Sequence, residues 1–265
     1  MITIINGGSQ GLGEAVARKL VVDGATGLVL TGRSTERGTA LADELTALGT
    51  PTEFVSVDIA APDAAATIVG ACEERFGTVN NLVNIAAKTS RSTVFDETPE
   101  HFAAMMNINV QAPYFLAQAA VKLMVRTGST GSIINVGSTS GYGGQPRLIS
   151  YAMSKGALAI MTKNLAFSLM RHGIRVNQVN PGWMDTESEH HTQMREEGAP
   201  EDWLVAAEAS RAMGRLVKPW EVANTIAFCL SSDSGLLTGN VIDVDQTVRG
   251  AGDPPMPGDD ETPQP

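Results

Sequence analysis

Three side chains in one short stretch are of types that could handle a carbonyl oxygen and its proton: Ser138, Tyr151 and Lys155. The apolar run that opens at Tyr151 (Ala152, Leu158, Ala159, Met161, Leu165, Leu169) has helical spacing and predicts a helix ending near Gly173. Residues four apart on a helix share a face, so Tyr151 and Lys155 come together. A free phenol, with a pKa of about 10, is a poor proton carrier at neutral pH, and a neighbouring ammonium favours its ionised form. Ser138 follows the strand-like run Ser132 to Gly137, which puts its hydroxyl at a strand's C-terminal end. A hydroxyl to polarise an oxygen and a tunable phenol to protonate it are what carbonyl reduction requires. A Tyr–Lys pair alone is common and usually means a partly exposed tyrosine beside a solvated lysine. The upstream serine and a glycine-rich turn near the start of the chain single this one out.

That turn follows the β-branched run Met1 to Ile5 and reads Asn6-Gly7-Gly8-Ser9-Gln10-Gly11-Leu12-Gly13. Helical spacing resumes at Ala15, Val16, Leu20 and Val21. Strand, glycine turn and helix form a phosphate-binding arrangement, because glycines let the backbone approach a pyrophosphate and the helix N-terminus offers free N–H groups. The spacing is GxxxGxG, not the GxGxxG of the usual fingerprint. A second strand, Leu28 to Thr31, ends at Gly32-Arg33-Ser34. Dinucleotide domains often place an acidic residue there for the ribose hydroxyls. Arginine suits a 2′-phosphate instead, so Arg33 with Ser34 predicts a preference for NADP(H), with NAD(H) as the possible alternative. The simpler reading of Arg33 is a solvated turn residue.

Helix and strand patterns then alternate: helix Gly38–Leu48, strand Glu53–Val57, helix Asp63–Phe76, strand Val79–Ala86, helical region Pro99–Arg126, strand Ser132–Gly137, the Tyr151 helix, and strand Ile174–Asn180. Helical patterns near Glu201–Met213 and Pro219–Leu230 precede a last strand, Asn240–Asp245. This predicts an α/β fold, a doubly wound parallel sheet of about seven strands with helices on both faces. The charged stretch from Trp183 to about Pro200 is too long for a connector and reads as irregular, the start of a substrate lid over about 183–215. Residues 1–249 form one domain on this reading. Residues 250–265, with five prolines and four acids, read as a disordered tail.

A net charge of −10 argues against nucleic acid as a partner and against anionic membranes. No apolar run reaches the roughly 18–20 residues of a membrane helix, and the turn at Asn6 comes too early for a secretory leader, so a cytoplasmic location is expected. Cys72 and Cys229 lie in apolar helical runs and read as reduced core residues. His190 and His191 could ligate a metal, but adjacent side chains diverge and a surface loop is the favoured reading; no metal is expected.

Together these residues resemble the classical short-chain dehydrogenase/reductase family from about Ile2 to Val248. The resemblance implies a Rossmann-type fold and an NADP(H)-dependent oxidoreductase acting on a small carbonyl or secondary alcohol. Gly7, Ser9, Gln10, Gly11, Leu12 and Gly13 match the family's coenzyme turn. Asp58 and Ile59 stand where the adenine binds, Asn84 and Ala86 near the coenzyme ribose, and Pro181, Gly182 and Thr186 where the nicotinamide carboxamide is held. Asn109 matches the family's structural and proton-relay asparagine, beside Ser138, Tyr151 and Lys155 as the catalytic set. In the implied mechanism Ser138 binds the substrate oxygen, Tyr151 exchanges its proton, and Lys155 holds the ribose and depresses the Tyr151 pKa. Gly143, Gln145, Leu148, Trp183 and Met184 would shape the substrate side. The family habit also implies a homo-oligomer, a tetramer. Asn84-Ile85-Ala86-Ala87 departs from the usual Asn-Asn-Ala-Gly, and Gln10 stands where NADP-preferring relatives are often basic. A coenzyme-binding regulatory protein and a lyase or epimerase are the alternatives on the same fold.

Overall fold

The computed structural model describes residues 1–250; apart from Gly250, the expected tail lies outside the described residues. Seven parallel strands form one sheet in the order β3-β2-β1-β4-β5-β6-β7. In chain order these are β1 (Ile2–Asn6), β2 (Gly27–Gly32), β3 (Thr52–Ser56), β4 (Asn81–Asn84), β5 (Gly131–Val136), β6 (Ile174–Pro181) and β7 (Val241–Val244). The helices are α1 (Gly11–Val22), α2 (Thr35–Ala47), α3 (Ala64–Phe76), α4 (Pro99–Met106), α5 (Ala112–Thr127), α6 (Ile149–Leu169), α7 (Glu187–His191), α8 (Trp203–Ala209) and α9 (Pro219–Leu230).

Side chains alternate across a strand, so neighbouring residues serve opposite faces. Ile5, Leu28, Leu30, Val83 and Ile134 pack with Val16 and Leu20 of α1, Leu41 and Leu45 of α2, and Val222 and Ile226 of α9. Ile4, Val29, Leu82, Ile133 and Val176 face the other way, against Ile68 and Cys72 of α3, Leu116 and Leu123 of α5, and Leu169 of α6. Each such side chain, fully buried, contributes about 1.5–3 kcal/mol. Burial on both faces explains why the strands read as continuous apolar runs.

The expected strand Val79–Ala86 is shorter in fact, because its ladder with β1 runs only from Thr3–Asn81 to Asn6–Asn84. The expected helical region Pro99–Arg126 is helical throughout, with a π-helical turn at Asn107–Gln111 between α4 and α5. The stretch after Trp183, expected to be irregular, contains α7 and a second π-helical turn, Thr192–Glu196. Thr186 starts that helix by accepting a hydrogen bond from Glu189 N (3.1 Å).

Strand order reverses direction at β1, which has β2 on one side and β4 on the other. A crevice opens at such a switch point beyond the strands' C-terminal ends. The loops that leave β1, β4, β5 and β6 all meet there.

Candidate active site

Ser138 stands just past the end of β5 and caps a short 3₁₀ turn, Thr139–Tyr142, its hydroxyl accepting from Ser140 N (3.1 Å). Tyr151 and Lys155 stand on the first two turns of α6, and the Ser138 hydroxyl is near enough to the Tyr151 phenol to lower its pKa. The structure thus brings together three residues that the sequence placed on a strand end and a helix face. Lys155 is only 3% exposed, and its ammonium donates to the Val136 carbonyl (2.7 Å) at 5.7 Å from the Tyr151 ring centroid. Burial pushes its pKa down to about 8.

Tyr151 moves the other way. Burial raises its pKa most, the nearby Ser138 hydroxyl lowers it, and the charges of Glu189 and Arg91 raise and lower it respectively. The net direction is upward, so the expected depression by Lys155 is not the balance found here. The ammonium is committed to the Val136 carbonyl, and removal of the phenolate from water outweighs the favourable partners.

Asn109 sits in the first π-helical turn, 1% exposed. Its Oδ1 accepts from Lys88 N (2.8 Å), and its Nδ2 donates to Lys88 O and to Ser154 Oγ (both 2.9 Å). The side chain therefore ties the loop after β4 to α6, one residue before Lys155. A second tether lies further along that loop. Ser92 N donates to Arg147 O (3.1 Å), and Glu97 accepts from Ser92 Oγ (2.5 Å) and pairs with His101 (2.5 Å). Burial would raise the Glu97 carboxyl, but the hydrogen bonds with Ser92 and His101 and the nearby Ser150 hydroxyl overcome it and hold its pKa at about 2.

The coenzyme candidates line the other half of the crevice. Gly7 has φ +86, and a Cβ there would stand 2.7 Å from Ala86 N; on Gly13 it would stand 1.9 Å from Gly7 O. Only glycine permits this close turn. Gln10 precedes α1 with no side-chain capping bond, so the first-turn N–H groups of α1 have no side-chain cap, and Gly13 N donates to the Gln10 carbonyl (3.1 Å). Ser9 lies across from Gly32, where a Cβ would come within 2.7 Å of its hydroxyl. Arg33 and Ser34 are exposed at the end of β2, and Ser34 caps α2 by accepting from Arg37 N (3.4 Å). Asp58 is exposed, accepting from Ala60 N (3.0 Å), with Ile59 half-buried beside it. Asn84 donates to Asn135 (2.9 Å), yet its own Oδ1 is buried without a partner. Ala86 N donates to Asn6 O (2.9 Å), beside the glycine turn. Pro181 ends β6, Gly182 N donates to Val244 O (2.9 Å), and the Thr186 methyl lies 3.9 Å from a Cβ built on Gly11. The close turn, the uncapped helix end, the exposed arginine and the orphaned Asn84 oxygen fit a phosphorylated dinucleotide.

On the substrate side, Gly143 and Gln145 are exposed and Leu148 is half-buried, while Gln145 accepts from Ser140 Oγ (2.8 Å). Met184 is half-buried, pairs through its backbone with Val217 and packs against the core. Trp183 stacks on Trp203 (5.8 Å) and donates from Nε1 to Glu189 (2.8 Å). His190 binds Asp185 (2.7 Å), which also accepts from Lys218 (2.7 Å), so this histidine belongs to an ion cluster. Among the described residues no group of three or more His, Cys, Asp or Glu could hold a metal.

Sequence reading missed two sets of charges. Arg37 of α2 holds Glu187 by two bonds (2.9 and 2.8 Å) and touches Gln10 (3.3 Å), linking the glycine turn to the segment after β6. Arg91, Arg147, Glu189 and Glu197 form a chain of ion pairs that links the loops after β4 and before α6 to the segment after β6. The acidic residues of the lid were the only signal, and nothing in their spacing named partners so distant.

A parallel sheet with a phosphate-binding turn at its switch point and a Ser–Tyr–Lys cluster beside it defines a nucleotide-dependent oxidoreductase of the α/β class. Residues 7–248 match the family described as Enoyl-(Acyl carrier protein) reductase. The chain is 32% identical over 247 residues to the NADP-dependent (R)-specific alcohol dehydrogenase of Lentilactobacillus kefiri, covering 92% of this chain and 94% of that one. It is 30% identical over 256 residues to the 3beta-hydroxysteroid dehydrogenase of Mediterraneibacter gnavus, covering 91% and 92%. A solved structure of a single-site variant of actinorhodin polyketide ketoreductase with NADPH superposes with a TM-score of 0.86 at 26% identity, over 92% of this chain and 95% of that one. The chain belongs to the short-chain dehydrogenase/reductase family.

Proposed function

We propose that this protein interconverts a ketone and a secondary alcohol with NADP(H) as coenzyme, on one catalytic domain spanning residues 1–249. What carries the reading is the closeness of the Ser138 hydroxyl to the Tyr151 phenol, beside the buried Lys155 at the switch point of the sheet. The coenzyme, when bound, supplies or accepts the hydride. Ser138 hydrogen-bonds the substrate oxygen, and Tyr151 gives that oxygen its proton in reduction and takes it in oxidation. The raised Tyr151 pKa keeps the phenol protonated at neutral pH, the state that reduction consumes. Lys155 holds the ribose hydroxyls. Asn109 fixes the β4 loop against α6 and supports a water-linked proton path behind the lysine.

Arg33 and Ser34 receive the 2′-phosphate, which supports NADP(H) over NAD(H). The NADPH of the ketoreductase neighbour and the NADP dependence of the L. kefiri relative agree with this preference. Exposed apolar side chains on α5 and α6, among them Phe115 (47%), Ile160 (60%) and Phe167 (79%), support a homo-oligomer, assigned here as a tetramer. No helix among the described residues is long and apolar enough to cross a membrane, and both cysteines are free and buried, which supports the cytoplasm as its location.

The test follows NADPH absorbance with a panel of ketones in the wild type and in Tyr151→Phe. Tyr151→Phe should bind NADPH with wild-type affinity and lose at least about a hundredfold in kcat, since it lacks only the proton carrier. Wild-type turnover by Tyr151→Phe would remove the assignment. Arg33→Ser should lower kcat/KM for NADPH selectively, and a wild-type preference for NADH would refute the phosphate role.

A further inference from the structure

Four charges from three separate segments meet in one chain of ion pairs that includes Arg147, two residues before α6. Arg91 comes from the loop after β4, Arg147 from the loop before α6, and Glu189 and Glu197 from the segment after β6. Arg147 reaches Glu197 (2.5 Å), Arg91 Nε reaches the other Glu197 oxygen (3.2 Å), and Arg91 Nη2 stands 3.7 Å from Glu189. The side chains of Arg91, Glu189 and Glu197 are only 20%, 22% and 14% exposed. Drawing ionised groups this far out of water is costly unless they are paired and hydrogen-bonded.

Their pairing is incomplete at one place. Glu189 Oε1 is fixed by Trp183 Nε1 (2.8 Å) and Gln193 Nε2 (2.7 Å). The Arg91–Glu189 separation of 3.7 Å exceeds the roughly 2.7–3.2 Å of an N–H···O bond. An acceptor and a donor thus stand side by side across a gap that a hydroxyl group can bridge, since a hydroxyl accepts and donates at once. Both charges act on Tyr151, which sets the gap within electrostatic reach of the proton carrier.

We propose that the substrate is a neutral ketone with hydroxyl groups next to its carbonyl, recognised through Arg91 and Glu189. This rests on the reductase reading above and names its substrate class. The four charges sum to zero. A substrate carboxylate would meet Glu189 and Glu197 together with the arginines, and a substrate cation would meet Arg91. A wholly apolar ketone would desolvate Arg91 and Glu189 and give them no partner. Sites built to hydrogen-bond a substrate hydroxyl discriminate strongly against analogues that lack it.

The experiment measures kcat/KM with NADPH for hydroxyacetone, dihydroxyacetone and erythrulose against 2-butanone and pyruvate. The hydroxylated ketones should exceed 2-butanone at least about tenfold, a conservative fraction of the discrimination such sites reach. In Glu189→Ala and in Arg91→Met that ratio should fall at least about fivefold, through KM more than kcat, and Glu189→Gln should recover part of it. NADPH affinity, followed by fluorescence, reports whether each variant keeps its fold. A wild-type preference for 2-butanone or pyruvate overturns the inference and leaves the reductase reading standing. So does a ratio unchanged in both variants. Absence of turnover with every ketone overturns both.

Discussion

Replacing Lys155 by methionine turns a buried charge into a measurable pH dependence. The ammonium is 3% exposed, and burial moves its pKa from 10.5 to about 8. Below about pH 8 both folded and unfolded chains hold the proton, and the cost of burying the charge is constant. Between about 8 and 10.5 the folded protein has released the proton while the unfolded chain retains it. The unfolded state then binds more protons, so stability must rise with pH. At 1.36 kcal/mol per pH unit, the rise approaches about 3 kcal/mol across that window. In Lys155→Met this contribution vanishes. Loss of the bond to the Val136 carbonyl adds a penalty of about 1–3 kcal/mol that does not vary with pH. The assay is urea unfolding of the coenzyme-free wild type and variant from about pH 7 to 10.5, read as the difference between the two free energies. Taking the difference cancels every other titrating group that both proteins share. The wild type should gain on the variant by about 3 kcal/mol as pH rises through that range. A difference that stays flat, or falls, would refute the claim that Lys155 is held as a desolvated, depressed ammonium.

Gly13→Ala places a Cβ 1.9 Å from the Gly7 carbonyl, so the turn must shift; NADPH titration should show at least about tenfold weaker binding, with about 1–3 kcal/mol lost in thermal unfolding. Glu97, held near about 2 against an ordinary 4.5, stabilises the fold above pH 4.5 and loses that contribution as pH falls toward 2, so Glu97→Gln should flatten the acid-unfolding profile over that window. The Cys72 thiol, buried and pushed up to about 12, should resist iodoacetamide at about pH 8 in the native protein and react once urea exposes it.

What could be read from the sequence was what local spacing fixes. The period of the apolar residues gave the alternation of strands and helices, the glycines marked the turn after β1, and the four-residue interval put Tyr151 and Lys155 on one face. The π-helical turn at Asn107–Gln111 was not legible, because its register answers to Asn109 bonds with Lys88 and Ser154, far away in the chain. The proton balance of the Tyr–Lys pair was not legible either. Spacing predicts that the two side chains meet, but the direction of each pKa depends on burial, which only the assembled sheet and loops determine. The Arg37–Glu187 pair joins residues 150 positions apart and leaves no periodic trace in either segment.

These differences follow the architecture. Residues at strand ends and first helical turns, such as Gly7, Gly13, Ser138, Tyr151 and Lys155, are positioned by hydrogen-bonded elements whose sequence pattern is local. The charges the pattern does not reveal, Arg91, Arg147, Glu189 and Glu197, sit on loops and on the short helical segment after β6. The strands divide the crevice accordingly. β1, β2 and β3 lead into the glycine turn, Arg33 and Asp58, the half proposed to meet the adenosine end of the coenzyme. β4, β5 and β6 lead into Arg91, Ser138 and Glu189, the half proposed to meet the reacting oxygen. A loop at a strand end can change its side chains without altering the ladder beneath it, so the substrate side can vary while the sheet, the glycine turn and the Ser–Tyr–Lys geometry stay fixed. That separation is why fold and reaction class are legible in the periodic parts of this chain, while the charges on the loops and short helical segment after β4, β5 and β6 are not.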